Sequence, residues 1–144
     1  MLLGEYEHTL DDKNRLTLPA KFRQTFADGI VLTRGMDGCL YGYAKPEWER
    51  FVERRLESLD PLSREARQMS RFLFAGASET EPDKQGRVMI PSALLAHGKL
   101  KREVVVAGVR DRLEVWDRET WHEHLREIEG SVESVAERLA QQRD

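Results

Sequence analysis

The segment Leu10-Asp11-Asp12-Lys13-Asn14-Arg15-Leu16-Thr17-Leu18-Pro19-Ala20 returns 72 positions later as Pro82-Asp83-Lys84-Gln85-Gly86-Arg87-Val88-Met89-Ile90-Pro91-Ser92. Each copy is an Asp, three residues, an Arg, a largely apolar triplet and a Pro. After one further residue the match resumes at a shift of 73, with Gly35 on Gly108, Leu40 on Leu113, Tyr43 on Trp116 and Trp48 on Trp121. The chain therefore reads as a tandem duplication of a unit about half its length. A unit that small cannot bury a core alone, but two copies can close one core around a pseudo-two-fold axis. Whatever the Asp and Arg do, they do as a symmetric pair.

The 144 residues suit one domain, and 40% hydrophobic with 34% charged residues is an ordinary water-soluble balance. The longest apolar run, Val104 to Val109, is far below a membrane span, so no membrane partner is expected. The opening Met1-Leu2-Leu3-Gly4-Glu5 lacks a basic region and a long apolar stretch, and no signal peptide is expected. A lone Cys39 fits a reducing cytoplasm. The net charge of −3 argues against a nucleic-acid partner, yet the acidity is local. Asp117 to Asp144 hold four Arg against eight acids, a net −4, which leaves +1 for residues 1–116.

Both halves have the same order of expected elements. Tyr6 to Thr9 and Arg15 to Leu18 flank Asp12-Lys13-Asn14, and Gly86 takes the place of Asn14 in the second half. Asn and Gly both tolerate the left-handed backbone of a tight turn, so both loops are expected to be hairpin turns. Pro19 and Pro91 each end a strand and open a short helix, Ala20 to Phe26 and Ser92 to His97. Strands follow over Ile30 to Thr33 and Cys39 to Tyr43, and over Glu103 to Ala107 and Arg112 to Trp116. Helices then close each half. Trp48, Phe51, Val52, Leu56 and Leu59 stand at helical spacing, Asp60-Pro61 interrupts, and Ser63 to Phe74 continues. In the second half Thr120 to Glu129 precedes a break at Gly130-Ser131 and a last helix, Val132 to Leu139. These elements predict an α+β fold with a mainly β core: a small closed barrel of interleaved halves, with Trp48 and Trp121 corking its core or, as the alternative, stacking on a ligand.

Catalytic arrangements find no support in the residues. A symmetric pair of carboxylates is similar to that of aspartic proteases, but Asp11 and Asp83 lack the Thr or Ser and the Gly that should follow. A cation beside each would keep both ionised and remove the general acid. Pyruvoyl-dependent decarboxylases, built on small double-psi barrels, cleave themselves at Gly-Ser, here found only as Gly130-Ser131 in the acidic tail. His122 and His124, two apart on a helix, diverge too far to share a metal ion, and His8 and His97 stand alone. No glycine spacing matches a phosphate loop. Neither catalysis nor a cofactor is expected.

What remains is a pair of turns carrying cations. Lys13, Asn14 and Arg15, with Lys84, Gln85 and Arg87, are side chains that reach phosphate oxygens and base edges. The Asp four residues before each Arg can pair with it or cap the turn's amides, which orients the guanidinium. The same spacing also serves a purely fold-stabilising ion pair. Lys21 and Arg23 add charge after the first turn, where the second half has Ala93 and Leu95, so the first half should grip anions better.

The residues Met1 to Asp11, Lys13-Asn14-Arg15-Leu16-Thr17-Leu18-Pro19 and Phe22-Arg23, with Asp11 to Arg15 and Asp83 to Arg87 as two Asp-x-x-x-Arg motifs, resemble the bacterial MraZ family over the whole chain. The resemblance implies a duplicated AbrB-like swapped-hairpin, double-psi-like β-barrel with peripheral helices. It also implies a DNA-binding transcriptional regulator of the division and cell wall gene cluster, its own promoter included, associated with the nucleoid in the cytoplasm. A closed homo-oligomeric ring, octamer or larger, is implied as well. We read residues 1–144 as one pseudo-two-fold domain, with repeats of about 5–76 and 77–129 and an acidic helical tail, 130–144. Double-stranded DNA carrying promoter direct repeats is the expected partner, and no small-molecule substrate is expected. Arg15 and Arg87 are expected to touch DNA, Lys13, Asn14, Lys84, Gln85, Lys21 and Arg23 to support them, and Asp11 and Asp83 to orient them. The rival reading is a protein-interaction scaffold that reuses the barrel.

Overall fold

The computed structural model describes residues 1–143. Among them are β1 (Leu2–Thr9), β2 (Arg15–Thr17), β3 (Ile30–Arg34), β4 (Leu40–Ala44), β5 (Ser78–Thr80), β6 (Arg87–Met89), β7 (Glu103–Arg110) and β8 (Arg112–Asp117). Six strands form an antiparallel sheet in the order β1-β7-β8-β4-β3-β5, and β2 pairs with β6 in a separate ribbon. A shift of 72 or 73 residues carries β1 to β5, β2 to β6, β3 to β7 and β4 to β8, and under that exchange the sheet order reads the same backwards. Each central rung then joins equivalent residues: Tyr41 faces Glu114 between β4 and β8, and Leu16 faces Val88 between β2 and β6.

This pairing corrects the expected hairpins. Both turns close, but β1 runs along β7 over its full length and β2 pairs with β6 from the other half. A tight turn needs only one residue in the left-handed region, and which strands then pair is decided by burial between distant segments. Strand pairing also leaves the large sheet open, with β1 and β5 at its edges; among the described residues no ladder joins them.

The main core lies between the two sheets. Leu16, Leu18, Val88 and Ile90 from the ribbon region meet Ile30, Leu32, Leu40, Val104, Val106, Leu113 and Val115 from the large sheet, with Phe22, Phe26 and Leu94 packed alongside. Strand residues alternate between faces, and on β4 and β8 both faces are buried. Tyr41, Tyr43 and Trp116 point away from the main core and, with Cys39, form a second cluster that Trp48, Phe51 and Trp121 cover. Trp48 and Trp121 therefore do not cork the main core, against the expectation. Trp48 lies 5.7 Å from Tyr43 and Trp121 lies 5.6 Å from Trp116, on the outer face of the sheet. The helix after each last strand folds back over that face, so its first turn meets the strand's outward residues.

Helix α1 (Lys45–Phe51), with Pro46 in its first turn, continues as a π turn over Val52–Leu56. Helix α2 (Arg64–Phe74) is capped by Ser63, whose hydroxyl accepts from the Ala66 amide at 3.0 Å. Helix α3 spans Ser92–Gly98, whereas the helix expected over Ala20 to Phe26 is a single 3-10 turn, Ala20–Phe22. Helix α4 (Arg118–Gln142) runs unbroken through Gly130, against the expected interruption. A glycine in a helix interior costs about 0.5–1 kcal/mol relative to alanine, too little to stop a helix with good formers on both sides.

Candidate nucleic-acid interface

Each Asp-x-x-x-Arg motif folds into the same closed turn. Asn14 (φ 57°) and Gly86 (φ 76°) supply the left-handed residue, and Asn14 N and Gly86 N donate to the carbonyls of Asp11 and Asp83 at 3.0 and 2.9 Å. Asp11 Oδ1 accepts from the amides of Lys13 and Arg15, both at 2.9 Å, and its Oδ2 accepts from Arg15 Nε at 2.7 Å. Asp83 repeats this with the amides of Gln85 and Arg87 at 2.9 Å and with Arg87 Nε at 2.8 Å. The sequence offered capping and ion pairing as alternatives; each carboxylate does both. The amide of Arg15 above all, then its guanidinium and the amide of Lys13, hold the Asp11 carboxyl below the usual carboxylate range, and Arg87 and Gln85 do the same for Asp83.

The halves interlock at these turns. Leu18 N donates to Gly86 O at 2.9 Å, and Ile90 N donates to Asn14 O at 3.0 Å. Leu16 and Val88 point into the core, so their neighbours Arg15, Thr17, Arg87 and Met89 share the opposite face of the ribbon. Arg15 and Arg87 are thereby brought together, 72 residues apart in sequence, on one surface with the 56% exposed Met89. Their side chains are 26% and 29% exposed. Each spends its Nε on its Asp; among the described residues its terminal nitrogens have no hydrogen-bond acceptor. Lys13, Asn14, Lys84 and Gln85 are exposed around the same two turns.

Arg23 is not where its sequence position suggested. Its Nε donates to Leu18 O at 3.2 Å, and a Cβ on Gly86 would fall 2.7 Å from that nitrogen, so Arg23 lies against the second turn. The half-buried His8 also faces it, and burial followed by the Arg23 charge keeps its imidazole below the ordinary range. Lys21 is exposed on the 3-10 turn. The first turn instead has Arg102 beside it: Leu10 N donates to Arg102 O at 2.7 Å, and the Arg102 guanidinium lies 3.3 Å from Asp12. Sequence reasoning missed Arg102 because it stands 90 residues from Asp12 and only the β1–β7 pairing brings them together. Each turn thus has one arginine contributed from outside its own motif.

His122 reaches Glu7 at 3.5 Å while His124 packs on Trp116 at 4.8 Å. Among the described residues no group of three or more His, Cys, Asp or Glu is placed to hold a metal ion, and no helix is long and apolar enough to cross a membrane. Cys39 is buried, and burial raises its thiol well above the ordinary range.

The family model described as "MraZ protein, putative antitoxin-like" matches twice, over residues 1–71 and 73–143. The chain is 45% identical over 139 residues to the transcriptional regulator MraZ of Caldanaerobacter subterraneus subsp. tengcongensis, covering 96% of both chains. It is 44% identical, with the same coverage, to proteins of that name from Caldicellulosiruptor saccharolyticus and Thermoanaerobacter sp.. With motifs, turns and both halves matched, the chain belongs to the MraZ family.

Proposed function

We propose that this chain is a sequence-specific DNA-binding regulator that represses the division and cell wall gene cluster, its own promoter included. The observation that carries the reading is the pair of Asp-clamped arginines, Arg15 and Arg87, on the outer face of one two-stranded ribbon. B-DNA's major groove admits such a ribbon, and a guanidinium whose Nε is already held presents its terminal nitrogens at a set angle for guanine or phosphate. Asp11 and Asp83 orient the arginines. Lys13, Asn14, Lys84, Gln85, Lys21, Arg23 and Arg102 add phosphate or base contacts from the rim. The name borne by the relatives supports regulation of transcription.

In this reading the repeats, about 5–76 and 77–129, form an AbrB-like swapped-hairpin barrel in which the β2–β6 ribbon closes over the large sheet, and 130–144 is an added acidic tail. The protein acts without a cofactor in the cytoplasm, on the nucleoid. One copy carries few free cations and a net −3, so affinity comes from several copies engaging together, where effective concentration multiplies weak contacts. A closed ring of eight or more copies on tandem direct repeats meets that need.

The test is a gel shift on the DNA upstream of the protein's own gene, comparing wild type with the double variant Arg15→Ala/Arg87→Ala. Loss of binding with an unchanged circular dichroism spectrum supports the proposal. A folded double variant that binds like wild type leaves the arginines as fold-stabilising ion pairs and overturns it.

A further inference from the structure

The outer face of the large sheet, on the side away from the main core, carries two joined hollows. The first, of about 360 Å³, lies beside α2 and the π turn that follows α1. Its walls are largely apolar, formed by Tyr43, Phe51, Leu56, Leu59, Met69 and Leu73. The rings of Tyr43 and Phe51 stack with centroids 5.2 Å apart. In the π turn the Glu57 amide donates to Val52 O at 3.0 Å, and this wider turn sets Phe51 and Leu56 on one side. The volume falls within the range of small-molecule sites, about 300–1,000 Å³.

The second hollow, of about 190 Å³, shares Tyr43, Phe51, Arg55 and Arg112 with the first and adds Arg50, Arg54, Glu47 and Asp111. Its charges do not cancel. Glu47 is paired with Arg50, and Asp111 lies 3.9 Å from Arg110. Arg112 is held by Glu114 at 2.7 Å and lies over the Tyr41 ring at 4.3 Å. Arg54 and Arg55 are exposed and have no ion-pair partner among the described residues. An apolar chamber thus opens into a cleft that carries two unpaired cations.

We infer that the joined hollows bind a small amphipathic anion, its hydrocarbon body in the first and its carboxylate or phosphate on Arg54 and Arg55 in the second. The first hollow decides the body. Nucleobases and sugars carry hydrogen-bonding edges, and against aliphatic and aromatic walls most of those edges would lose water without gaining partners. The second hollow decides the charge, because guanidinium forks make their strongest hydrogen bonds to carboxylates and phosphates. Medium-chain fatty acids and monoalkyl phosphates share this chemistry. The site lies across the large sheet from the β2–β6 ribbon, and the inference is independent of DNA binding.

The experiment is displacement of the fluorescent probe anilinonaphthalene sulfonate from the full chain, with no DNA present. Decanoate and decyl phosphate represent the two head groups, decanol a hydrocarbon body without charge, and AMP a phosphate without a hydrocarbon body. At least one alkyl anion should displace the probe at concentrations where decanol and AMP do not, and the better of the two identifies the head group. Arg54→Gln/Arg55→Gln should raise its half-displacement concentration about tenfold or more, the effect of losing a charge-assisted contact. Arg64→Gln/Arg71→Gln, which removes two exposed arginines of α2 outside both hollows, should leave displacement at the wild-type value. Equal displacement by decanol or by AMP overturns the inference, as does an Arg54/Arg55 variant that behaves like wild type. An α2 variant weakened as much as the Arg54/Arg55 variant reduces the effect to general attraction of anions and also overturns it. A bound probe that neither alkyl anion displaces sits elsewhere, and the hollows then hold no such ligand.

Discussion

Arg15 and Arg87 each bind an Asp through Nε, and among the described residues their terminal nitrogens have no hydrogen-bond acceptor. Arg15→Ala takes away a partly exposed ion pair, of a kind that contributes little to stability, while Asp11 keeps its two amide contacts. Loss of a bidentate base contact costs about 1–3 kcal/mol, roughly 5- to 150-fold in affinity. Arg15→Ala and Arg87→Ala should therefore weaken operator binding by similar factors with little change in melting temperature, as titrated gel shifts and thermal melts would read. A melt lowered by several degrees with operator affinity intact would assign the arginines to the fold alone. Arg23→Ala should couple to Arg87→Ala in a double-mutant cycle and be additive with Arg15→Ala, because Arg23 lies against the second turn.

The lowered carboxyls at Asp11 and Asp83 have a pH signature. A group whose folded-state pKa lies below its unfolded value stabilises the fold above the unfolded value, about 4 for Asp, and that stabilisation is lost as pH falls through the folded one. Carboxyl ¹³C titration should give both midpoints below the ordinary Asp value, and Arg15→Ala should move that of Asp11 part of the way back, since the amide contacts persist. Midpoints at the ordinary value would contradict the clamped geometry. Gly86 carries a separate constraint. At φ 76°, and with Arg23 2.7 Å from the site of a Cβ, Gly86→Ala should cost about 1–2 kcal/mol in chemical denaturation.

Among the elements, α4 is the one whose continuity depends on a single residue. Gly130 sits inside its span with nothing within 4 Å of a would-be Cβ, and Ser131 Oγ donates back to Glu127 O at 2.9 Å. Gly130→Ala should add about 0.5–1 kcal/mol to helix stability and raise the helical circular dichroism signal. A break at that point would make the same substitution neutral or harmful. The β2–β6 ribbon is short, and its place is secured by the buried Leu16 and Val88 at its centre. Its orientation over the core is therefore set by packing, and the outward arginines inherit that orientation.

At the scale of the whole molecule, if copies associate head to tail in the proposed ring, their ribbons share one polarity, and the operator should consist of tandem direct repeats and not a palindrome. Ribbons facing one side of the duplex require repeats about 10 base pairs apart, one helical turn. Inverting one repeat, or inserting roughly five base pairs between two, should remove most of the affinity in a gel shift. A single palindromic pair that binds as well as the array would exclude this arrangement. Affinity should also fall with ionic strength at a log slope near −0.9 per neutralised phosphate, whereas an apolar scaffold interface would be nearly indifferent to salt.

The repeat, the turn residues Asn14 and Gly86 and the order of strands and helices are local properties. Each depends on a few neighbouring side chains or on a backbone region that few residues tolerate, and so they were legible in the sequence, as was the MraZ resemblance. Sequence reading could not tell which strands pair, because a tight turn at Asp11–Arg15 is compatible with a hairpin or with strands donated to another half. The packing of two amphipathic units against each other decided for the latter. The same step set the outward side of Trp48 and Trp121, since which face of a sheet a returning helix covers is a property of the assembled layers. Above all, tertiary structure joined Arg15 to Arg87 and moved Arg23 and Arg102 to turns outside their own motifs. Those neighbours are separated by 60 to 90 residues of chain, and only the burial of one shared core brings them to the same surface.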